Sequence, residues 1–186
     1  PWKWFSSTLN SGSRSIIANA GLINQVYLPK YIFPLIVVVI NTFKFTLVFP
    51  VLLLILIISG FELSPCWWSL LPVLVIQLLM VASCTCLLSC LVPYVPDLRY
   101  VIDNGMLLLM FLSGVFFSID AMAPEIRSIL LLNPIALLLE CYREILLEGS
   151  MPNLNDLAYV IFISFLTGIS AVFLLKRIDR KVIKEL

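Results

Sequence analysis

The sequence holds few groups that could do chemistry, and their spacing argues against a reaction centre. Histidine is absent, which removes the commonest general base, the commonest metal ligand and the neutral-pH switch. Three of the five cysteines fall close together as Cys84, Cys86 and Cys90. On a helix of 3.6 residues per turn, Cys84 and Cys86 point about 200° apart, so they cannot share one ion. They read instead as small, soft packing residues. Cys66 and Cys141 form a disulfide only if both face an oxidising exterior. No G-x-x-x-x-G-K-[ST] phosphate loop occurs. There is no pair of carboxylates inside an apolar run and no nucleophile beside a base. The expectation is a protein that is not an enzyme, has no catalytic or metal-binding residues and binds no cofactor itself.

The remaining polar groups fit positioning rather than catalysis. Lys44 sits inside an apolar run, roughly 20 Å along a helix counted from Tyr31 at 1.5 Å per residue. An ionisable group at that depth is costly and faces a cavity or a partner. With Asn41 and Thr42 it either touches a translocated molecule or braces a subunit contact, or else it snorkels to an interface. Asp97 and Arg99 read as a gate contact or as a solvated turn pair worth under about 1 kcal/mol. Glu140, Arg143 and Glu144 lie at helical spacing, which favours a local ion pair. The aromatics Phe111, Phe116 and Phe117 either line a path or face lipid and the bundle core.

The elements that must hold these residues are membrane helices. Hydrophobic residues make up 61% and charged residues 12% of the 186, and the mean hydropathy is +1.08. A soluble domain carries about 25% charged residues. Four runs, Tyr31–Ser59, Leu70–Leu91, Val101–Ser118 and Leu157–Leu175, approach or exceed the ~20 residues needed to cross a bilayer. A net charge of +1 argues against a nucleic-acid binder, which would need a basic patch. Pro1–Ala18, with Trp2, Trp4 and Phe5 as interfacial aromatics, is a poor span alone, but its small residues suit close packing in a bundle. Asn19–Lys30 reads as a short amphipathic helix with Leu22, Ile23, Val26 and Tyr27 on one face, ended by Pro29. Between Ile119 and Asn155, Asn133-Pro134 breaks the apolar pattern. That segment reads as two short helices in a re-entrant hairpin whose turn is buried in protein. Lys176, Arg177, Arg180, Lys181 and Lys184 follow the last run, and Lys/Arg excess marks the cytoplasmic side. Counting back places Asn19–Lys30 inside and the hairpin outside.

At this point a family resemblance enters. Asn19-Ala20-Gly21-Leu22-Ile23-Asn24-Gln25-Val26-Tyr27-Leu28-Pro29-Lys30, followed by Ile32-Phe33-Pro34-Leu35, resembles the cytoplasmic coupling segment of type-2 ABC permeases. Within that family it is most similar to the branch that exports O-antigen, capsular polysaccharide or teichoic acid. Pro1-Trp2 before Phe5 resembles the aromatic opening of that family's second span. Asp97-Leu98-Arg99 resembles its acidic–basic element before the fifth span, and Asn133-Pro134 with Tyr142-Arg143 and Gly149 is similar to its outer hairpin. Asn24-Gln25 departs from the basic residues usual there. The family's N-terminal interface helix and first span have no counterpart, so a single domain over 1–186 lacking both is expected.

The resemblance implies an all-α polytopic membrane protein, with about five spans in this chain against six in the family, a cytoplasmic coupling helix and an outer re-entrant hairpin. It implies the permease subunit of an ATP-driven exporter of lipid-linked polysaccharide, in the cell membrane, with its C-terminus cytoplasmic. A second permease copy would complete a homodimer, and separate ATPase subunits would hold ATP and Mg. Asn19, Gly21, Leu22, Ile23, Val26, Tyr27, Pro29 and Lys30 would couple to the ATPase. Asn41, Lys44, Asp97, Arg99, Phe111, Phe116 and Phe117 would lie along the path or gate, and Asn133, Pro134, Tyr142 and Arg143 in the outer hairpin. The rival readings are a type-2 ABC exporter of drugs or other lipids, and an ATP-independent carrier or channel.

Overall fold

The computed structural model describes all residues except 26–28, 62–63, 118, 120–121 and 183–186, and describes 23–25 and 177–182 by their backbone only. Among the described residues the secondary structure is entirely helical. The first three helices are α1 (Trp2–Ser13), α2 (Ser15–Ala18) and α3 (Ala20–Gln25). The long α4 (Ile32–Ile58) follows, then a 3₁₀ turn at Pro65–Ser69 leading into α5 (Leu70–Leu91) and α6 (Leu98–Leu112). Two short helices, α7 (Pro124–Leu130) and α8 (Pro134–Arg143), run through a π-helical turn at Glu144–Glu148 to the last helix, α9 (Leu154–Val182).

Among the described residues, three stretches are long and apolar enough to cross a membrane: Ile32–Ile58, Pro65–Leu91 and Leu154–Lys176. The expected runs at Tyr31–Ser59, Leu70–Leu91 and Leu157–Leu175 thus become helices close to their expected bounds. The other two expected spans are shorter. At 15 residues, α6 is about 22 Å long against a hydrocarbon core of ~30 Å. It ends at Leu112 rather than Ser118, because the chain turns at Gly114 with φ +66°. A side chain there would also meet Ile119, whose Cγ1 lies 2.7 Å from the position a Cβ would take. The α1–α2 rod starts beside the middle of α5, where the Pro1 carbonyl accepts from Gln77 Nε2 at 3.1 Å. It therefore accompanies only the second half of that helix.

The bundle is organised around α5, which packs on α9, α1, α4 and α8. Val73 and Val81 on α5, Leu138 on α8, Ile145 beyond it and Val160 on α9 are almost fully enclosed. Where α1 crosses α5, Gly12 lets the backbones approach. A Cβ on Gly12 would lie 2.1 Å from Thr85 Cγ2, the close crossing that small residues permit in membrane bundles. By contrast α4 buries little beyond Phe33, Pro34 and Val38. Phe43, Leu47, Val48 and Ile58 all stand exposed, a surface that only lipid or another subunit can cover without cost.

Side-chain contacts sort the helix ends into two groups. Ser64 at the start of the α5 segment reaches the Gly149 carbonyl ahead of α9, and Ser83 meets Thr167 midway, 3.0 Å apart, so α5 and α9 run parallel. Asn133 after α7 donates to Ser113 at the end of α6 at 2.9 Å. One end of the bundle thus holds the α7–α8 hairpin, the end of α6 and the starts of α5 and α9. The other holds the ends of α2, α5 and α9, the starts of α4 and α6, and α3.

Candidate functional site

The α3 end collects most of the expected coupling and gate residues. Asn19 links α2 to α3, its amide donating to the Ser15 carbonyl at 2.7 Å, and so ties the turn to the rod behind it. Gly21 and Leu22 are exposed, Leu22 by 50%. A half-exposed leucine at the tip of a bundle leaves apolar surface to be covered. Within the expected Asn19–Lys30, Ala20–Gln25 is helical. Val26 and Tyr27, and the side chain of Ile23, lie outside the described residues, so the expected one-sided face is visible only at Leu22. Pro29 and Lys30 are half-buried at the approach to α4.

The rod behind α3 is anchored twice. Arg14, at the break between α1 and α2, forms an ion pair with Asp103 on α6. Asn41 on α4 donates to Ser11 Oγ at 3.3 Å and to the Val37 carbonyl at 3.1 Å. Three helices therefore meet around Ser11–Arg14. Lys44, one turn beyond Asn41, is exposed rather than aimed into the bundle. Thr42 donates to Val38 O within its own helix, so the expected Asn41–Thr42–Lys44 cluster is divided: Asn41 joins α1, Thr42 closes on α4 and Lys44 faces outward. Asp97 precedes α6 and Arg99 opens it. Both are exposed, and Arg99 lies 4.7 Å from the centre of the Tyr100 ring, donating to the Tyr100 hydroxyl at 3.0 Å. A cation over an aromatic face is held by the ring quadrupole, so Arg99 is positioned by its neighbour.

The opposite end holds the hairpin. Asn133 caps α8 by accepting from Ile135 N at 3.1 Å, and Pro134 occupies the first helical turn, where its missing N–H costs nothing. This is the break expected at Asn133-Pro134. Glu140 and Arg143 make the expected i,i+3 pair at 3.2 Å. Arg143 does more than the local spacing suggests, because its guanidinium also donates to the Gly114 carbonyl where α6 ends. With Asn133–Ser113, the hairpin is fastened to α6 at two points. Tyr142 is buried, and its hydroxyl donates to Gln77 Oε1 at 2.7 Å. Gln77, itself 2% exposed, bridges α8, α5 and the start of α1. Sequence reasoning missed it, although it is the only amide in the Leu70–Leu91 run, and a buried amide in an apolar helix must find partners.

Phe111 and Phe116 form a tilted pair 5.7 Å apart, exposed by 53% and 67%. Phe117 separates from them and packs on Ile119, Leu130 and Ala136. No disulfide joins Cys66 to Cys141. Cys141 is buried in the core on α8. Among the described residues no group of histidines, cysteines and carboxylates could hold a metal ion.

The comparison with known families decides among the readings of such a bundle. The family described as ABC-2 type transporter matches residues 7–147. The chain belongs to that family. The ABC-2 match runs from within α1 through α8, so both the α3 end and the hairpin fall inside it. The ABC-2 chain is 26% identical over 150 residues, 80% of its length, to the O-antigen export system permease protein RfbA of Klebsiella pneumoniae. It is 30% identical over 179 residues, 93% of its length, to the protein of the same name from Myxococcus xanthus. It spans 58% of the former and 68% of the latter. The family and the three long apolar helices among the described residues make this chain a membrane protein.

Proposed function

We infer that this chain is the permease subunit of an ATP-driven exporter of lipid-linked polysaccharide, of the O-antigen, capsule or teichoic acid type. Two permease copies sit beside two copies of a separate ATPase, which supplies the ATP and Mg chemistry that no residue here provides. The observation that carries this reading is the family match over 7–147 together with relatives named as O-antigen export permeases.

The geometry fits that role. An ATPase gripping the Leu22 side of α3 pulls directly on the α1–α2 rod. The rod is wedged on α5 at Gly12, pinned to α6 through Arg14–Asp103 and to α4 through Asn41. Movement of α6 reaches the far end, where Gly114 and Ser113 hold the α7–α8 hairpin. The hairpin acts as the outer gate and dips into the membrane from the exterior. The basic end of α9 lies in the cytosol, consistent with the Lys/Arg excess there. The exposed Phe111–Phe116 pair offers faces on which sugar rings stack, and Lys44 and Asn41 line the path or the contact with the second copy.

The test is co-purification of a partner ATPase with this chain. Leu22→Asp and Val26→Asp each abolish capture and export, whereas capture unaffected by both refutes the coupling helix. Export that continues in ATP-depleted membranes favours a carrier instead. Transport of a drug in place of glycan favours the other type-2 exporters.

A further inference from the structure

An open groove of about 690 Å³ runs along the bundle, lined by α5 and α9, within the ~300–1,000 Å³ of ordinary ligand sites. Its floor is made of small residues, Ala82 and Ser83 on α5 with Ser164 and Gly168 on α9. Its walls are large and exposed, as at Phe165 and Phe173. The floor's hydroxyls are already engaged. Thr167 reaches Ser83 at 3.0 Å across the two helices, and Ser164 donates to the Val160 carbonyl at 2.7 Å. Nothing in the floor calls for water, which needs two or more polar partners to reside in a cavity.

The groove has length and a polarity. On α9 it extends from Ile161 to Lys176, about 22 Å at 1.5 Å per residue, more than half of the ~30 Å hydrocarbon core. Among the described residues its one charged lining residue is Lys176, exposed at the end where Arg177, Arg180 and Lys181 continue the sequence. A slot that is apolar along its length and cationic at one rim complements an amphiphile with an acyl chain and an anionic head. Each basic residue near a membrane surface favours anionic lipid by about 1 kcal/mol, roughly fivefold.

We propose that the α5–α9 groove is a binding site for an anionic phospholipid, its acyl chain lying over Ala82 and Gly168 and its phosphate against the Lys176 ammonium. The bound lipid braces α9 against α5 at the end where α3 attaches to the rod. The site rests on the reading above only in putting Lys176 at the cytoplasmic surface.

The test uses the full chain reconstituted in nanodiscs of equal phosphatidylglycerol and phosphatidylcholine, released and weighed by native mass spectrometry. This readout samples both leaflets, so it is independent of orientation and of transport. The wild-type chain retains phosphatidylglycerol over phosphatidylcholine by about fivefold or more. Lys176→Gln brings the ratio down about fivefold while total retained lipid is unchanged, and Lys176→Arg preserves it. Ala82→Leu and Gly168→Leu, which fill the floor, each lower retention of both lipids. Lys3→Gln, a cation outside the groove, leaves everything as in wild type. Equal retention of the two lipids by wild type, or a ratio indifferent to Lys176→Gln in a folded variant, overturns the proposal. So does displacement of the bound species by inorganic phosphate alone, which marks a headgroup-only site.

Discussion

Substituting Gly12 tests whether the rod is truly wedged on α5. The Cβ of Gly12→Ala would sit 2.1 Å from Thr85 Cγ2, against an ordinary carbon–carbon separation of about 3.5–4.0 Å. The methyl must move by well over an ångström. Thr85 cannot yield cheaply, because it is fully buried and a β-branched side chain is stiff about χ1. Overpacking of this kind costs about 1–3 kcal/mol, set against up to about 1 kcal/mol gained from replacing glycine within a helix. The single variant is therefore expected to lose on the order of 1–2 kcal/mol. Thr85→Ser removes the offending methyl and keeps the hydroxyl. In the double variant Gly12→Ala/Thr85→Ser the clash is gone and the helix gain remains. A double-mutant cycle, read by denaturant unfolding in detergent, should give a favourable coupling of about 1–3 kcal/mol. A coupling below about 0.5 kcal/mol, the scatter of independent sites, would show that α1 and α5 do not cross at these residues.

Three more outcomes follow from the same contacts. Tyr142→Phe leaves Gln77 Oε1 without its donor and should lower stability by about 1–3 kcal/mol. Adding Gln77→Leu should restore much of that loss in thermal unfolding, because it removes the orphaned Oε1 while the Pro1 carbonyl it releases still accepts from Phe5 N at 3.1 Å. Arg143→Met removes both the Glu140 partner and the Gly114 anchor. It should cost about 3 kcal/mol, the low end for breaking a buried pair because Arg143 is partly exposed, and should raise protease cutting in the hairpin; unchanged cutting would separate Arg143 from the α6 end. Arg14→Gln breaks an exposed pair worth under about 1 kcal/mol, so its unfolding midpoint should barely move while export falls. A parallel loss of both would reduce Arg14–Asp103 to a structural contact.

Local patterns made much of the fold legible. The apolar run Leu70–Leu91 is a helix with those bounds, because length and hydropathy are properties of consecutive residues. Asn133-Pro134 announced the break between α7 and α8, since an N-cap amide and a proline at the first turn act within a few positions. The Glu140–Arg143 pair was readable from its spacing. The Val101–Ser118 run misled at its end because its hydropathy does not register that Gly114 must turn against Ile119.

Composition and order determined that this protein is a set of apolar helices with a cationic tail and a proline-ended segment near the start, since hydropathy and backbone propensity are written residue by residue. Only tertiary structure decided that α1 lies against α5 at a glycine, that Gln77 gathers α1 and α8, that Arg143 reaches past Glu140 to α6, and that small residues where α5 packs on α9 leave a groove ending at Lys176. Each of those joins residues far apart in the chain, and such contacts depend on where backbones cross, which no local period encodes.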